Sequence, residues 1–415
     1  MEAQGPRMNS LDLLYSVGAV ALAPWWARKS RGDWRSRFGH AEVLPASRGR
    51  RVLVHAVSVG EVNALRGLVP RLAERCEVVV SAGTDTGLAR AAELFAGSAR
   101  VVRYPLDFSR CVRRFLDAVK PDAVGLVELE LWPNFVRECV RRGVPVGVIN
   151  GRLSERSFRG YRRVRAVLRG TFASLRFAAV QDEEYRERFV AMGVPAERCM
   201  VTGSMKWDAA KIEREVPGAE QLAAELGIDR SRPVLVAGST AEDEEALLHA
   251  ACPAGVQLVC APRKPEHFDE AARAMPGCVR RSERRPAPLG TGRFLLDTIG
   301  ELRKAYALAD VVVMGRSFGG LYGSDPIEPA ALGKAVVIGP AVKDFAVIVK
   351  TLERAGGLVR ADRGRLGGVL SELFANKERR ETISAAAVGC IRGQMGASER
   401  HAGLLEGMVT GKVEA

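Results

Sequence analysis

What this 415-residue sequence lacks narrows the field first. Its eight cysteines (Cys76, Cys111, Cys139, Cys199, Cys252, Cys260, Cys278 and Cys390) form no C-x-x-C pair. Several, such as Cys260 in QLVCA, sit in apolar runs where cysteine acts as a small buried hydrophobe. That pattern argues against a disulfide framework and a zinc site, and for a reducing cytosolic compartment. The five histidines (His40, His55, His249, His267, His401) show no ligand spacing, so no side-chain metal site is expected. Aromatic residues make up only 6%. With no reader motif either, platforms for stacking bases are scarce, and no nucleic-acid partner is expected. A Walker loop, G-x-G-x-x-G, solenoid-period repeats and low-complexity tracts are all absent.

A long apolar run is missing too. The run 13–27 (LLYSVGAVALAPWWA) is shorter than the ~20 residues a spanning helix needs, and it contains Pro24. A signal peptide places its positive charge before the apolar run, whereas here RKSRGDWRSR follows it. Trp25 and Trp26 followed by Arg28, Lys29 and Arg31 are what an interfacial membrane anchor uses, aromatics at headgroup depth and cations against anionic lipid. A first helix packed on the protein itself is the alternative.

What is present is positive charge, a formal +13 from 62 Lys and Arg against 49 Asp and Glu. Nucleic acid, an anionic membrane and a phosphorylated substrate are the polyanions such a balance serves. A general bias toward arginine explains the total better than it explains local clusters, which suggest an anion-facing surface or, more commonly, a solvated helix face. The stretch 152–176 holds eight arginines against one glutamate.

The 47% apolar content supports a sizeable core, and the length exceeds what one core fills. Short apolar strands alternate with helices in two series. The first runs from VLVHAV (52–57), with a helix expected over 61–75, through EVVVSAG, VVRYPLD and AVGLVELE to VPVGVING. The second runs from PVLVAGS (233–239) through QLVCAPR, FLLDTIG and VVVMGRS to AVVIGP. Buried strands alternating with helices mean parallel sheets covered on both faces. The polar stretch 207–231 separates the series. Two doubly wound domains with ligands at the carboxyl ends of their strands are the expected α/β architecture, with the site in a cleft between them.

Chemistry is sought at those strand ends. Glu61 in SVGE follows the first strand at a helix start, where the dipole favours an ionised base. Ser58-x-x-Glu61 is equally a capping box, and spacing alone favours the cap. In ELELWPN, period-2 alternation sends Glu128 and Glu130 to one face of a strand end, which is hard to justify structurally. Lys206 in GSMKWD lies at the domain junction, where it could neutralise a carboxylate or phosphate. In the second series, Gly238-Ser239-Thr240 suits phosphate, although Glu242, Asp243 and Glu244 make plain capping as good an account. Pro262-Arg263 would bring a guanidinium to a nucleotide phosphate. Glu328, in a helix opened by Pro326, is placed to hold ribose hydroxyls, beside a glycine-rich loop containing Gly315, Gly319, Gly320 and Gly323.

Taken in order, HAVSVGEVNA, ELELWPN, RLSERSFRGYRR, VTGSMKWD, APRKPEHF, DTIGEL and DPIEPAALGKAVVIGP resemble the bacterial 3-deoxy-D-manno-octulosonic acid (Kdo) transferases. The likeness runs from LLYSV and RSRFG nearly to the end of the chain, and it tips the balance at Glu61 from cap to chemistry. It implies a GT-B fold of two Rossmann-like domains and transfer of Kdo from CMP-Kdo to a lipid A precursor. No cofactor and no metal are implied, and the place is the cytoplasmic face of the inner membrane, against its anionic surface. Glu61 is implied as general base, with Glu130 and Lys206 stabilising the transition state. CMP is implied to contact Pro262, Arg263, Ile299, Gly300, Glu301, Asp325, Pro326, Ile327 and Glu328. The domains expected are a membrane-associated segment at 1–36, an acceptor domain at 37–208 and a CMP-sugar domain at 209–415. The chain departs from the family pattern GGHNPLEP at Ser324 and Asp325, and has Arg316 where the family has glycine. A GT-B enzyme with another donor or acceptor and an inactive family member are the competing readings.

Overall fold

The computed structural model describes residues 12, 13, 15, 33–47 and 49–411. Of the expected membrane anchor, only Leu13 and Tyr15 fall among them; the rest of 13–27 and Arg28, Lys29 and Arg31 lie outside. Among the described residues no helix is long and apolar enough to cross a membrane.

The chain forms two compact units, each built on a seven-stranded parallel sheet. The first sheet contains β1 (Arg51–Ala56), β2 (Glu77–Ala82), β3 (Arg100–Arg103), β4 (Ala123–Val127), β5 (Val146–Gly151), β6 (Phe177–Val180) and β7 (Cys199–Val201). Their order is β3-β2-β1-β4-β5-β6-β7. The second contains β8 (Val234–Thr240), β9 (Gln257–Pro262), β10 (Val279–Arg280), β11 (Arg293–Leu295), β12 (Val311–Met314), β13 (Ala335–Ile338) and β14 (Val359–Arg360), ordered β10-β11-β9-β8-β12-β13-β14. Every residue of β1, β4, β5 and β9 is buried, which is why these strands read as continuous apolar runs rather than alternating ones. In each sheet the first strand is flanked by strands reached in opposite directions. The switch points are therefore β1/β4 and β8/β12, where this architecture leaves a crevice for ligands.

The expected helix over 61–75 is two helices, Val59–Ala64 and Leu68–Ala73. Pro70 explains the break, because a proline is tolerated in a first turn but clashes with the preceding turn inside a longer helix. The larger difference concerns the end of the chain. The first unit comprises the residues up to Ala209 together with the segment from Gln394, and the second is Ala210–Gly393. The second domain therefore does not run from 209 to 415. The helix Ala397–Thr410 places Ala402, Leu405, Met408 and Val409 in one cluster with Val52, Val54, Leu68 and Ile149. Gly125 in β4 admits it, since a Cβ there would lie 2.9 Å from Leu405 Cδ2.

Candidate active site

At the β1/β4 switch point the first unit gathers three carboxylates. Glu61 opens the helix after β1, and both of its oxygens are held. Val57 N–H donates to Oε2 at 2.7 Å and the Ser58 hydroxyl to Oε1 at 2.8 Å. The Ser58 oxygen in turn accepts the Glu61 N–H at 3.4 Å. The capping box is therefore real, and it fixes the carboxylate rather than competing with a chemical role.

Glu128 and Glu130 follow β4, but not as alternation anticipated. The strand ends at Val127, and Glu128 adopts φ 55°, so the two glutamates lie on a turn and not on one strand face. They converge all the same. Burial raises the Glu130 carboxyl to about 7, and the nearby Glu61 charge adds to the rise; a 2.9 Å hydrogen bond from the Trp132 indole N–H opposes it. Burial also raises the Glu128 carboxyl. Arg152 and Lys206 pull it down and Glu61 pushes it up, so those four groups share one electrostatic neighbourhood. Thus Glu61, Glu128 and Glu130 are brought together, and Lys206 and Arg152 reach the cluster at Glu128. In sequence Arg152 is one arginine in a crowded stretch, and its place after β5, beside β4, is the signal that separates it from the rest.

The rest of ELELWPN is structural. Pro133 starts a helix, and Asn134 is buried, donating from Nδ2 to Asp12 Oδ1 at 3.1 Å and to the Asp107 carbonyl at 2.6 Å. Asp107 caps the same helix by accepting from Asn134 and Phe135 N–H at 3.0 and 2.8 Å. Beside it lies a cavity of about 910 Å³ whose lining includes His55, Tyr104, Leu106 and Trp132 together with the charged Arg37 and Asp85. His55 stacks on Tyr104 at 3.6 Å. The arginine-rich stretch forms the helices Glu155–Arg163 and Arg165–Ala173, and residues 161–167 are all exposed.

In the second unit, the expected donor residues fall into two groups. Arg263, Asp325 and Glu328 all act on the buried Tyr306 hydroxyl. Burial raises that group, Glu328 and Asp325 raise it further, and Arg263 lowers it. Gly238 makes room for Tyr306, since a Cβ would lie 2.0 Å from its oxygen. Pro262 and Ile327 are buried, as is Pro326, while Ile299 and Gly300 are exposed, with open space around Gly300. The Glu301 and Glu328 side chains are already engaged. Glu301 accepts from Arg281 at 3.1 and 3.2 Å and from the Thr298 hydroxyl, and these bonds hold it below the usual carboxylate range against burial. Glu328 pairs with Arg303 at 3.3 Å.

At the β8/β12 switch point, backbone N–H groups just after Gly238-Ser239-Thr240 and in the glycine-rich loop are filled from within. The buried Glu244 carboxylate accepts from Ala241, Arg316, Ser317 and Phe318 N–H at 3.0, 2.6, 2.9 and 3.0 Å. Glu244 is thus a loop anchor, neither a helix cap nor a free acid. Beside it a cavity of about 760 Å³ is lined by Arg263, Lys264, His267, Arg316 and Arg363, among others.

Comparison with known proteins places the chain in a family. Residues 32–209 match the family described as 3-Deoxy-D-manno-octulosonic-acid transferase (kdotransferase). A 3-deoxy-D-manno-octulosonic acid transferase of Bordetella pertussis is 33% identical, over 95% of this chain and 98% of that protein. One from Haemophilus influenzae is 29% identical, over 95% of each. Among solved structures, UDP-GlcNAc 2-epimerase from Neisseria meningitidis superposes with a TM-score of 0.58 at 15% identity, covering 86% of this chain and 99% of that one. That last likeness speaks to fold alone and fits the α/β GT-B class.

Proposed function

The chain belongs to the 3-deoxy-D-manno-octulosonic acid transferase family, and on that premise we propose that it moves Kdo from CMP-Kdo onto a lipid A precursor at the cytoplasmic face of the inner membrane. The observation that carries the reading is Glu61, fixed at a helix start and surrounded by Glu128, Glu130, Lys206 and Arg152. In the proposed reaction the acceptor hydroxyl gives its proton to Glu61 as its oxygen bonds to the anomeric carbon. The bond from that carbon to the phosphate oxygen breaks, and its electron pair leaves with CMP. A prepositioned base typically contributes ~10²–10⁴ in rate. Glu130 would face the positive charge developing on the sugar, and Lys206 would keep the cluster from excess negative charge.

In the second unit, Arg263 would meet the phosphate, Asp325 through Glu328 would close around the nucleotide, and Ile299 to Glu301 would offer exposed backbone. The donor is a substrate, and no metal or cofactor is invoked. The cavity beside His55 and Tyr104 supports an acceptor with an apolar part. The exposed Arg162, Arg163 and Arg165, interleaved with exposed Tyr161, Val164 and Val167, support attachment to an anionic lipid surface.

The test is incubation with CMP-Kdo generated in situ and a tetra-acylated lipid A precursor, with EDTA present and the product weighed by mass spectrometry. A Kdo-sized mass gain is expected. No gain from folded protein would overturn the choice of donor or acceptor, and a gain lost only with EDTA would overturn metal independence.

A further inference from the structure

The donor reading leaves one residue unexplained. Arg316 lies one residue beyond β12, after Gly315, with φ 59°, a left-handed conformation that favours glycine. It is held there from two sides. Gly315 passes so close to the end of β8 that a Cβ would lie 2.5 Å from the Ser239 carbonyl oxygen, and Glu244 grips the N–H groups of residues 316 to 318. Strain of this kind persists only where surroundings over-determine it, and it gathers at ligand sites.

The side chain lines the 760 Å³ cavity with Arg263, and neither guanidinium has an ion-pair or side-chain hydrogen-bond partner among the described residues. Arg363 spends only its Nε–H, on the Phe318 carbonyl at 2.8 Å. The acids of the lining are better satisfied. Glu244 is buried in its N–H cradle, Glu242 faces His267 at 3.2 Å and Lys264 pairs with Glu266 at 3.7 Å, which leaves Asp243 against the three arginines.

We propose that Arg316, in the same cavity lining as Arg263, forms with it the anion-holding wall of the donor pocket, taking the negative groups borne at the activated carbon of a nucleotide-linked sugar acid. This rests on the donor reading above and deepens it. Such a donor carries a phosphodiester and a carboxylate on the same carbon, so one guanidinium leaves one anion without a fork; a second, fixed guanidinium supplies it. The tightly held backbone means that the fork is in place before the ligand arrives.

The experiment is calorimetric titration of the full chain and of Arg316→Gly and Arg316→Lys with CMP and with cytidine, alongside thermal melts. Glycine suits the left-handed position, so Arg316→Gly should melt no lower than the parent protein. Free CMP ends in a doubly charged phosphate monoester that both guanidiniums can grip, so its affinity for Arg316→Gly should fall roughly tenfold or more, the loss of one charge-assisted bond, with cytidine affinity unchanged and lysine restoring part of the loss. In the transfer assay KM for the donor should rise with kcat little changed. Equal CMP affinity in parent and Arg316→Gly would overturn the inference while leaving the donor reading intact. Equal losses for CMP and cytidine, or a lowered melting temperature, would make Arg316 structural. A parent protein that binds no CMP would sink both.

Discussion

His401 accepts a 2.9 Å hydrogen bond from the backbone N–H of Asn150, a residue 251 positions earlier in the chain. The same Nε2 lies 3.1 Å from the Thr202 hydroxyl, and Nδ1 meets the Ala397 carbonyl. This fixes a neutral imidazole with its proton on Nδ1, so protonating Nε2 would set donor against donor. Burial accordingly lowers His401 from 6.5 to about 4.

The sign of the resulting pH effect follows from which state takes up protons. An unfolded His401 binds its proton near pH 6.5, while the folded one waits until about 4, so stability is full above 6.5 and falls as pH drops across that interval. The loss is about 3 kcal/mol for this residue. His55, lowered to about 3 by burial, contributes in the same direction. Denaturant midpoints between pH 7 and 4 should fall, with a shallower slope in His401→Gln; parallel slopes would remove His401 from the account.

Glu61→Gln should lower turnover ~10²–10⁴-fold, the range of a lost general base. The amide keeps an oxygen for the Val57 N–H or the Ser58 hydroxyl, so stability should change by no more than about 1 kcal/mol. CMP affinity should remain, because every residue assigned to the nucleotide lies in the second unit. A calorimetric loss of CMP binding would instead make Glu61 a structural residue.

Glu130 titrates at about 7 in the folded chain against 4.5 when exposed. Its contribution to stability is present below 4.5 and is lost as pH rises through 7. Glu130→Gln should therefore be more stable than the parent at pH 8, by up to about 2–3 kcal/mol, and no more stable at pH 4. The rate profile of the parent should inflect near pH 7 and that of the variant should not.

Leu405→Ala should destabilise by about 2–5 kcal/mol, since it opens a cavity between the last helix and Gly125 of β4. Limited proteolysis should show the first unit cut sooner, with fragments from Ala210–Gly393 appearing at an unchanged rate. Equal acceleration in both would mean that the two units unfold together.

Much of the molecule follows from sequence by itself. Continuous apolar strands alternating with helices dictated two parallel sheets, because a parallel strand is buried on both faces and writes that burial locally. The ordered motifs placed Glu61, Glu130, Lys206 and Arg263 at strand ends or junctions, where the structure has them. Other features left no local period to read. Glu128 breaks alternation because its backbone turns left-handed. The helix Ala397–Thr410 belongs to the first unit through contacts with residues hundreds of positions away, and a crossing of that kind is written in burial, not in spacing. The acids behave alike on a smaller scale: in sequence Glu244 looks like a helix cap, and Glu301 and Glu328 look like carboxylates free for a ligand. Only tertiary structure decided that the first fills a backbone cradle and that the other two meet arginines, because a charge is spent by whatever long-range folding brings within hydrogen-bond reach.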